Sequence, residues 1–142
     1  MKTRITNILP GLIAVMILCI AVWGCRGSQD QLGAADRAIS DIHSNYNNDK
    51  FEELAEQRDQ KMKDTETADD YIATLRSVKA RYGAVKSSAY ISSKSSDLGE
   101  KLNVVRETTF EKGTAQERFL FKMQGDQAVL LGYVISAKDL LK

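Results

Sequence analysis

The chain has few of the residues that usually carry chemistry. Its 142 residues include one histidine, one proline, one tryptophan and two cysteines. Both cysteines, Cys19 and Cys25, lie in or at the end of an apolar N-terminal run, so the sequence from Arg26 onward has neither a disulfide nor a thiol nucleophile. That part must be held by buried apolar surface, and about 110 residues are enough for a core. A metal site needs several nitrogen, sulfur or close carboxylate ligands, which one histidine and one terminal cysteine do not supply. No phosphate-cradling glycine loop and no serine in a glycine-flanked elbow occur. An excess of one charge is missing too: from Cys25 onward, once Lys2 and Arg4 are set aside, 18 basic residues face 19 acidic ones. Without a basic stripe, a dedicated nucleic-acid binder is disfavoured.

What is present begins with the leader. Ile5 to Gly24 carry no charge, and Lys2 and Arg4 precede them. A basic start, an apolar middle and a small residue at the end form the layout of a secretory signal. The segment "VWGC", residues 22–25, resembles the lipobox of bacterial lipoproteins, with Val22 and Gly24 in the expected places and Trp23 departing from the pattern. The resemblance implies a signal peptide at 1–24, removed before Cys25, and a palmitate-type diacyl anchor on the Cys25 thiol. Residues 25–33 would then be a lipidated tether and 34–142 the folded domain. An uncharged stretch of about 20 residues also suffices for an uncleaved spanning helix. Either way the domain is exported. Arg26 in place of an inner-membrane retention aspartate favours the periplasmic face of the outer membrane, by the same resemblance, with the inner membrane still open.

Periodicity then predicts helices. Leu32, Ala35, Ile39, Ile42 and Tyr46 recur at helical spacing, and "NYNNDK" ends that helix. Phe51, Leu54 and Ala55 give a shorter second helix, ended by "DTET". Thr67 opens a third with Asp70 in capping-box position; Tyr71, Leu75, Val78 and Tyr82 form its stripe and Gly83 its stop.

After Gly83 the period becomes two, predicting strands at about 84–93, 101–111, 115–124 and 127–136. A tight turn at Gly113–Thr114 would set Phe110 opposite Glu117 and Arg106 opposite Phe121. A second at Gly125–Asp126 would set Met123 opposite Ala128, Phe121 opposite Leu130 and Phe119 opposite Gly132. One face then collects Leu102, Val104, Phe110, Phe119, Phe121, Met123, Leu130 and Val134. Val105, Leu120, Val129, Leu131, Tyr133 and Ile135 fall on the other, which is less polar than a solvated face should be. The last strand is apolar on both sides, so something should cover it: the tail "AKDLLK", the first helix or another chain.

Helices, a glycine stop and then an antiparallel meander is the order of α+β folds of the cystatin-like and NTF2-like kind, with N-terminal helices packed on a four-stranded antiparallel meander. The segments "YIATLRSVKARYGAVKSS", "TTFEKGTAQERFLFK" and "LLGYVIS" resemble a family of small bacterial lipoproteins of unknown function with a cystatin-like fold. The wider NTF2-like group uses the cone between sheet and helices as a ligand pocket and often pairs through the sheet; both are analogies of fold.

Few residues invite chemistry. His43 adjoins the first helix's apolar stripe and reads as a boundary histidine, since no partner for general-base work is indicated. The acids of "DTETADD" read as helix-start acidity. Arg106 falls on the core face, where an unpaired cation is costly; it either snorkels to the rim or lines a pocket mouth and binds an anionic group. The sequence therefore predicts a non-enzymatic envelope lipoprotein without a cofactor. It would bind an envelope protein or a second copy through Val105, Leu120, Leu131 and Tyr133, and the bilayer through acylated Cys25. The alternative is a small-ligand cone with Arg106 near its mouth.

Overall fold

The computed structural model describes the backbone of residues 11–137 and the side chains of 29–137. The expected signal peptide at 1–24, Cys25 and residues 138–142 of the tail lie outside the described side chains. The chain divides into two compact units, Met1–Asp30 and Gln31–Lys142. In order, the elements are α1 (Gly11–Asn47), α2 (Phe51–Glu56), α3 (Gln60–Thr65), α4 (Ala68–Tyr82), β1 (Val85–Ser96), a short 3₁₀ turn at Asp97–Gly99, β2 (Lys101–Phe110), β3 (Gly113–Gln124) and β4 (Gln127–Ala137). The strands form one antiparallel sheet in the order β1-β2-β3-β4. Helices first and a four-stranded meander after make this an α+β fold. Among the described residues, no helix is long and apolar enough to cross a membrane.

Helical backbone runs through 25–33, where a tether is expected. The reason is local: this stretch has no proline, and Gly27 and Gly33 each cost a helix only about 1 kcal/mol. Gln31 is already tied to the sheet, its Nε2 donating to the Gly99 carbonyl at 2.9 Å. At the other end, Asn47 closes α1 by imitating a strand. Its amide donates to the Val85 carbonyl at 2.9 Å and accepts from the Val85 N–H at 2.8 Å. Lys79 of α4 donates to the last carbonyls of α1, Tyr46 and Asn47, both at 3.0 Å, placing a cation at the negative end of the dipole.

The single helix expected over 50–64 is broken in two at Gln57–Asp59. Asp59 caps α3 through its side chain, accepting from Lys61 N–H at 2.9 Å. The break has a tertiary cause. Arg58 bridges Leu130, and Asp59 N–H donates to the Leu130 carbonyl at 2.8 Å. The α2–α3 junction thus covers the β4 edge at that point, the task expected of the tail, of the first helix or of another chain. Arg58 is only 4% exposed. It donates to the Ala55 and Glu66 carbonyls and lies 4.5 Å over the Tyr71 ring.

α4 forms as its local signals dictate. Asp70 N–H donates to Thr67 Oγ1 at 3.2 Å, while the Thr67 hydroxyl donates to the Asp70 carboxylate at 2.7 Å. Gly83 has φ 77°, and a Cβ there would stand 2.4 Å from Glu111 Oε2.

Two corrections concern register. The β2–β3 turn is at Glu111–Lys112, with Phe110 paired to Gly113 and Arg106 to Glu117, not to Phe121. Backbone bonds hold this turn from outside: Glu111 N–H donates to Ala84 O and Lys112 N–H to Tyr82 O, both at 2.9 Å. The displacement is an even number of residues, so the predicted faces survive. The Gly125–Asp126 turn has the expected pairs, Met123 with Ala128 and Phe121 with Leu130. A bulge then follows: Leu120 pairs with Gly132 and Phe119 with Tyr133, leaving Leu131 as the extra residue. Beyond it the faces exchange. Tyr133 and Ile135 pack against the core, and Val134, expected inside, is 57% exposed.

The core joins Ala35, Ile39 and Tyr46 of α1 and Tyr71, Leu75 and Val78 of α4 to Leu102, Val104, Phe110, Phe119, Phe121 and Leu130 of the sheet.

Candidate functional site

The site grows out of the alternation of β3. Ala115, Glu117, Phe119 and Phe121 share one face and are all buried, so a carboxylate occupies a core position. Glu117 is 2% exposed. An isolated charge at such depth would cost several kcal/mol, and it persists only where hydrogen bonds replace the lost water. Three elements supply them. Thr108 of β2 donates its hydroxyl to Oε2 at 2.5 Å, Tyr133 of β4 donates its phenol to Oε1 at 2.6 Å, and His43 of α1 places Nε2 2.8 Å from Oε2. Burial pushes the Glu117 carboxyl up, but the bonds from His43, Thr108 and Tyr133 and the His43 interaction outweigh it, leaving it below the usual carboxylate range. A depressed carboxyl is ionised and can only accept, so Nε2–H of His43 donates to it. Burial, then the Glu117 charge, pushes Tyr133 well above the ordinary phenol value.

The bulge at Leu131 makes this arrangement possible. It turns Tyr133 inward, sets its ring tilted against Phe119 with the centroids 5.2 Å apart and aims its hydroxyl at Glu117. Tyr133 is therefore not on the outer face expected for it. Val105 and Leu120 do lie on that face, half-buried, and Leu131 is half-buried at the bulge. His43 is likewise more than a boundary residue, for it has the positioned carboxylate partner that the sequence did not reveal. The signal for Glu117 was its parity with Phe119 and Phe121. Nothing local to Glu117 points to His43, 74 positions away.

Arg106 is the cross-strand neighbour of Glu117. Its side chain is 13% exposed, neither sunk in the core nor free in water. Nη2 pairs with the Asp36 carboxylate of α1, Nη1 donates to the Ser88 carbonyl at 3.4 Å, and Nε is buried without a partner. Beside it, between α1 and β1, opens a cleft of about 340 Å³ lined by Asp36, Ser40, His43, Asn47, Ser88 and Arg106 among others. The α1 residues recur at spacings of four and three, one face of the helix. The Asn47–Val85 amide pairing closes one end of the cleft and the Asp36–Arg106 ion pair the other.

A second hollow of about 480 Å³ lies among α1, α2 and the β3–β4 turn, with buried Leu54, Phe121 and Leu130 and exposed Arg37, Asp41 and Asp126. It lacks a buried ionised group. Among the described residues, no group of three or more His, Cys, Asp or Glu side chains is placed to hold a metal ion.

No family model and no curated protein matches the chain. A solved structure similar to it is the solution structure of a SEC-C motif-containing protein from Rhodopseudomonas palustris. The two share 15% identity over 66% of this chain and 71% of that one, with a TM-score of 0.49.

Proposed function

We propose that this chain is an exported lipoprotein, diacylated at Cys25, whose cystatin-like or NTF2-like domain binds a small anionic ligand without turning it over. The leader's charge layout and the "VWGC" segment support the anchor. Helix-before-meander order and a polar cleft beneath α1 support the cone. The observation that carries the ligand reading is Arg106, a nearly buried guanidinium at the wall of a 340 Å³ cleft whose Nη1 is held only by a long bond of 3.4 Å to the Ser88 carbonyl. A planar, permanently charged fork suits carboxylates and phosphates. Titrating the full chain in detergent micelles with small anions, and following the unfolding midpoint, tests this: ligand binding to the folded state raises it by mass action. Arg106→Gln should abolish the rise. Mass spectrometry of the mature N-terminus, with Cys25→Ser as control, tests the anchor separately.

Association through the outer sheet face is a second reading, favoured by the exposure of Val134 and by Gly132, which leaves Leu120 uncovered by a cross-strand side chain. With Tyr133 and Ile135 turned inward, Val105, Leu120, Val129 and Val134 remain, a smaller apolar set than the regular register predicts. Cross-linking of the full chain in micelles would detect a pair formed there.

A further inference from the structure

Resting on that ligand reading, we propose that the ligand is a small hydroxy acid, its carboxylate taken by Arg106 and a hydroxyl taken by His43. The two ends of His43 do different things. Nε2 is spent on Glu117, whereas no protein group among the described residues hydrogen-bonds Nδ1, and the ring lines the cleft. In the neutral ring Nδ1 accepts a hydrogen bond; in the charged ring it donates one. A hydroxyl does both and so suits either state, which a bare anion or an apolar group does not.

Arg106 supplies the other end. The Asp36 carboxylate, itself close to half exposed, already shows that a carboxylate fits against this guanidinium. Lys86, also lining the cleft, adds a second positive charge. Asp36 and His43 are seven positions apart on α1, about 10 Å at 1.5 Å per residue, so the two recognition points are several bonds apart. The cleft volume of about 340 Å³ holds roughly eleven waters at ~30 Å³ each, room enough for a six-carbon polyol acid and some water beside it. Ser40, Ser44, Ser87 and Ser88 line the space between, which matches hydroxyls and disfavours an alkyl chain.

The chain's single histidine makes the test direct. The untagged full chain in detergent micelles is titrated with D-gluconate, acetate, inorganic phosphate and D-glucose while the imidazole NMR signals are followed. Gluconate should shift the His43 signals and bind at least about tenfold tighter than acetate. Glucose at equal concentration should leave them in place, and Arg106→Gln or the surface change Lys86→Gln should weaken gluconate. If acetate or phosphate binds as tightly as gluconate with the ring signals fixed, the anion site stands and the hydroxy-acid assignment is wrong. Equal binding of glucose would remove the carboxylate's role. If no anion binds, the ligand reading itself falls.

Discussion

His43 Nε2 sits 2.8 Å from Glu117 Oε2, and this contact ties α1 to β3 in the interior of the domain. It is the meeting point of four elements, because Thr108 of β2 and Tyr133 of β4 serve the same carboxylate. Removing the carboxylate therefore takes the partner from three donors at once, with only Thr108 keeping another, Ser88 Oγ at 3.1 Å. Glu117→Ala should destabilise the fold by about 3 kcal/mol, the range for breaking a buried, hydrogen-bonded charge. Urea unfolding checks this, with the midpoint falling and the slope unchanged.

The same carboxylate sets an acid dependence. Glu117 titrates lower in the folded protein than in the unfolded chain, where the value is about 4.3. The folded state thus binds fewer protons at this group. Its stabilisation is complete above the unfolded value and is lost as pH falls through the folded one. His43, Thr108 and Tyr133 face it directly, and Arg106 is its cross-strand neighbour. Stability measured from pH 6 down to pH 3 should fall more steeply in the wild type than in Glu117→Gln, which has no proton to gain there; parallel curves would refute this.

Gly83 is fixed by two demands. Its φ of 77° lies in the region that disfavours side chains, and a Cβ would stand 2.4 Å from Glu111 Oε2. Gly83→Ala should cost about 1–2 kcal/mol in spite of the lower entropy of the unfolded chain. Thr67→Ala, at the other end of α4, removes the acceptor for Asp70 N–H and should cost about 1 kcal/mol. Thermal unfolding of both variants separates the two ends of the helix.

α4 was legible because its signals are local: Thr67, Asp70 and Gly83 act within a turn of the residues they serve. The sheet's faces were legible for a related reason, since alternation survives an even displacement of register such as that of the β2–β3 hairpin. The turn itself was not, because Tyr82 and Ala84 select it from outside the hairpin. The break at Arg58 likewise depends on Leu130, far along the chain. Arg106 was placed on the correct face, with the rim and a pocket mouth both open to it, yet its partner Asp36 lies 70 positions away and carries no local mark. Glu117 passed unmarked in the sequence although its parity with Phe119 and Phe121 puts a charge on the apolar face, and only the fold discloses the donors around it.

The bulge in β4 offers a test that joins register to site. Leu131 is the residue without a partner; Leu130 pairs with Phe121 and Gly132 with Leu120 on either side of it. Deleting Leu131 should leave those pairs, and the Tyr133–Phe119 pair beyond them, in place, because an unpaired residue is all that is lost. In a bulge-free strand the same deletion would exchange the faces of every residue after it, at the cost of a one-residue slip. The deletion variant should therefore stay folded within about 2 kcal/mol of wild type. Glu117→Ala made in that background should cost as much as in the full-length chain, since Tyr133 still donates to Glu117. A much smaller cost in the deletion background would mean that Tyr133 had left the carboxylate, and that the bulge residue, not merely the strand's register, positions the site.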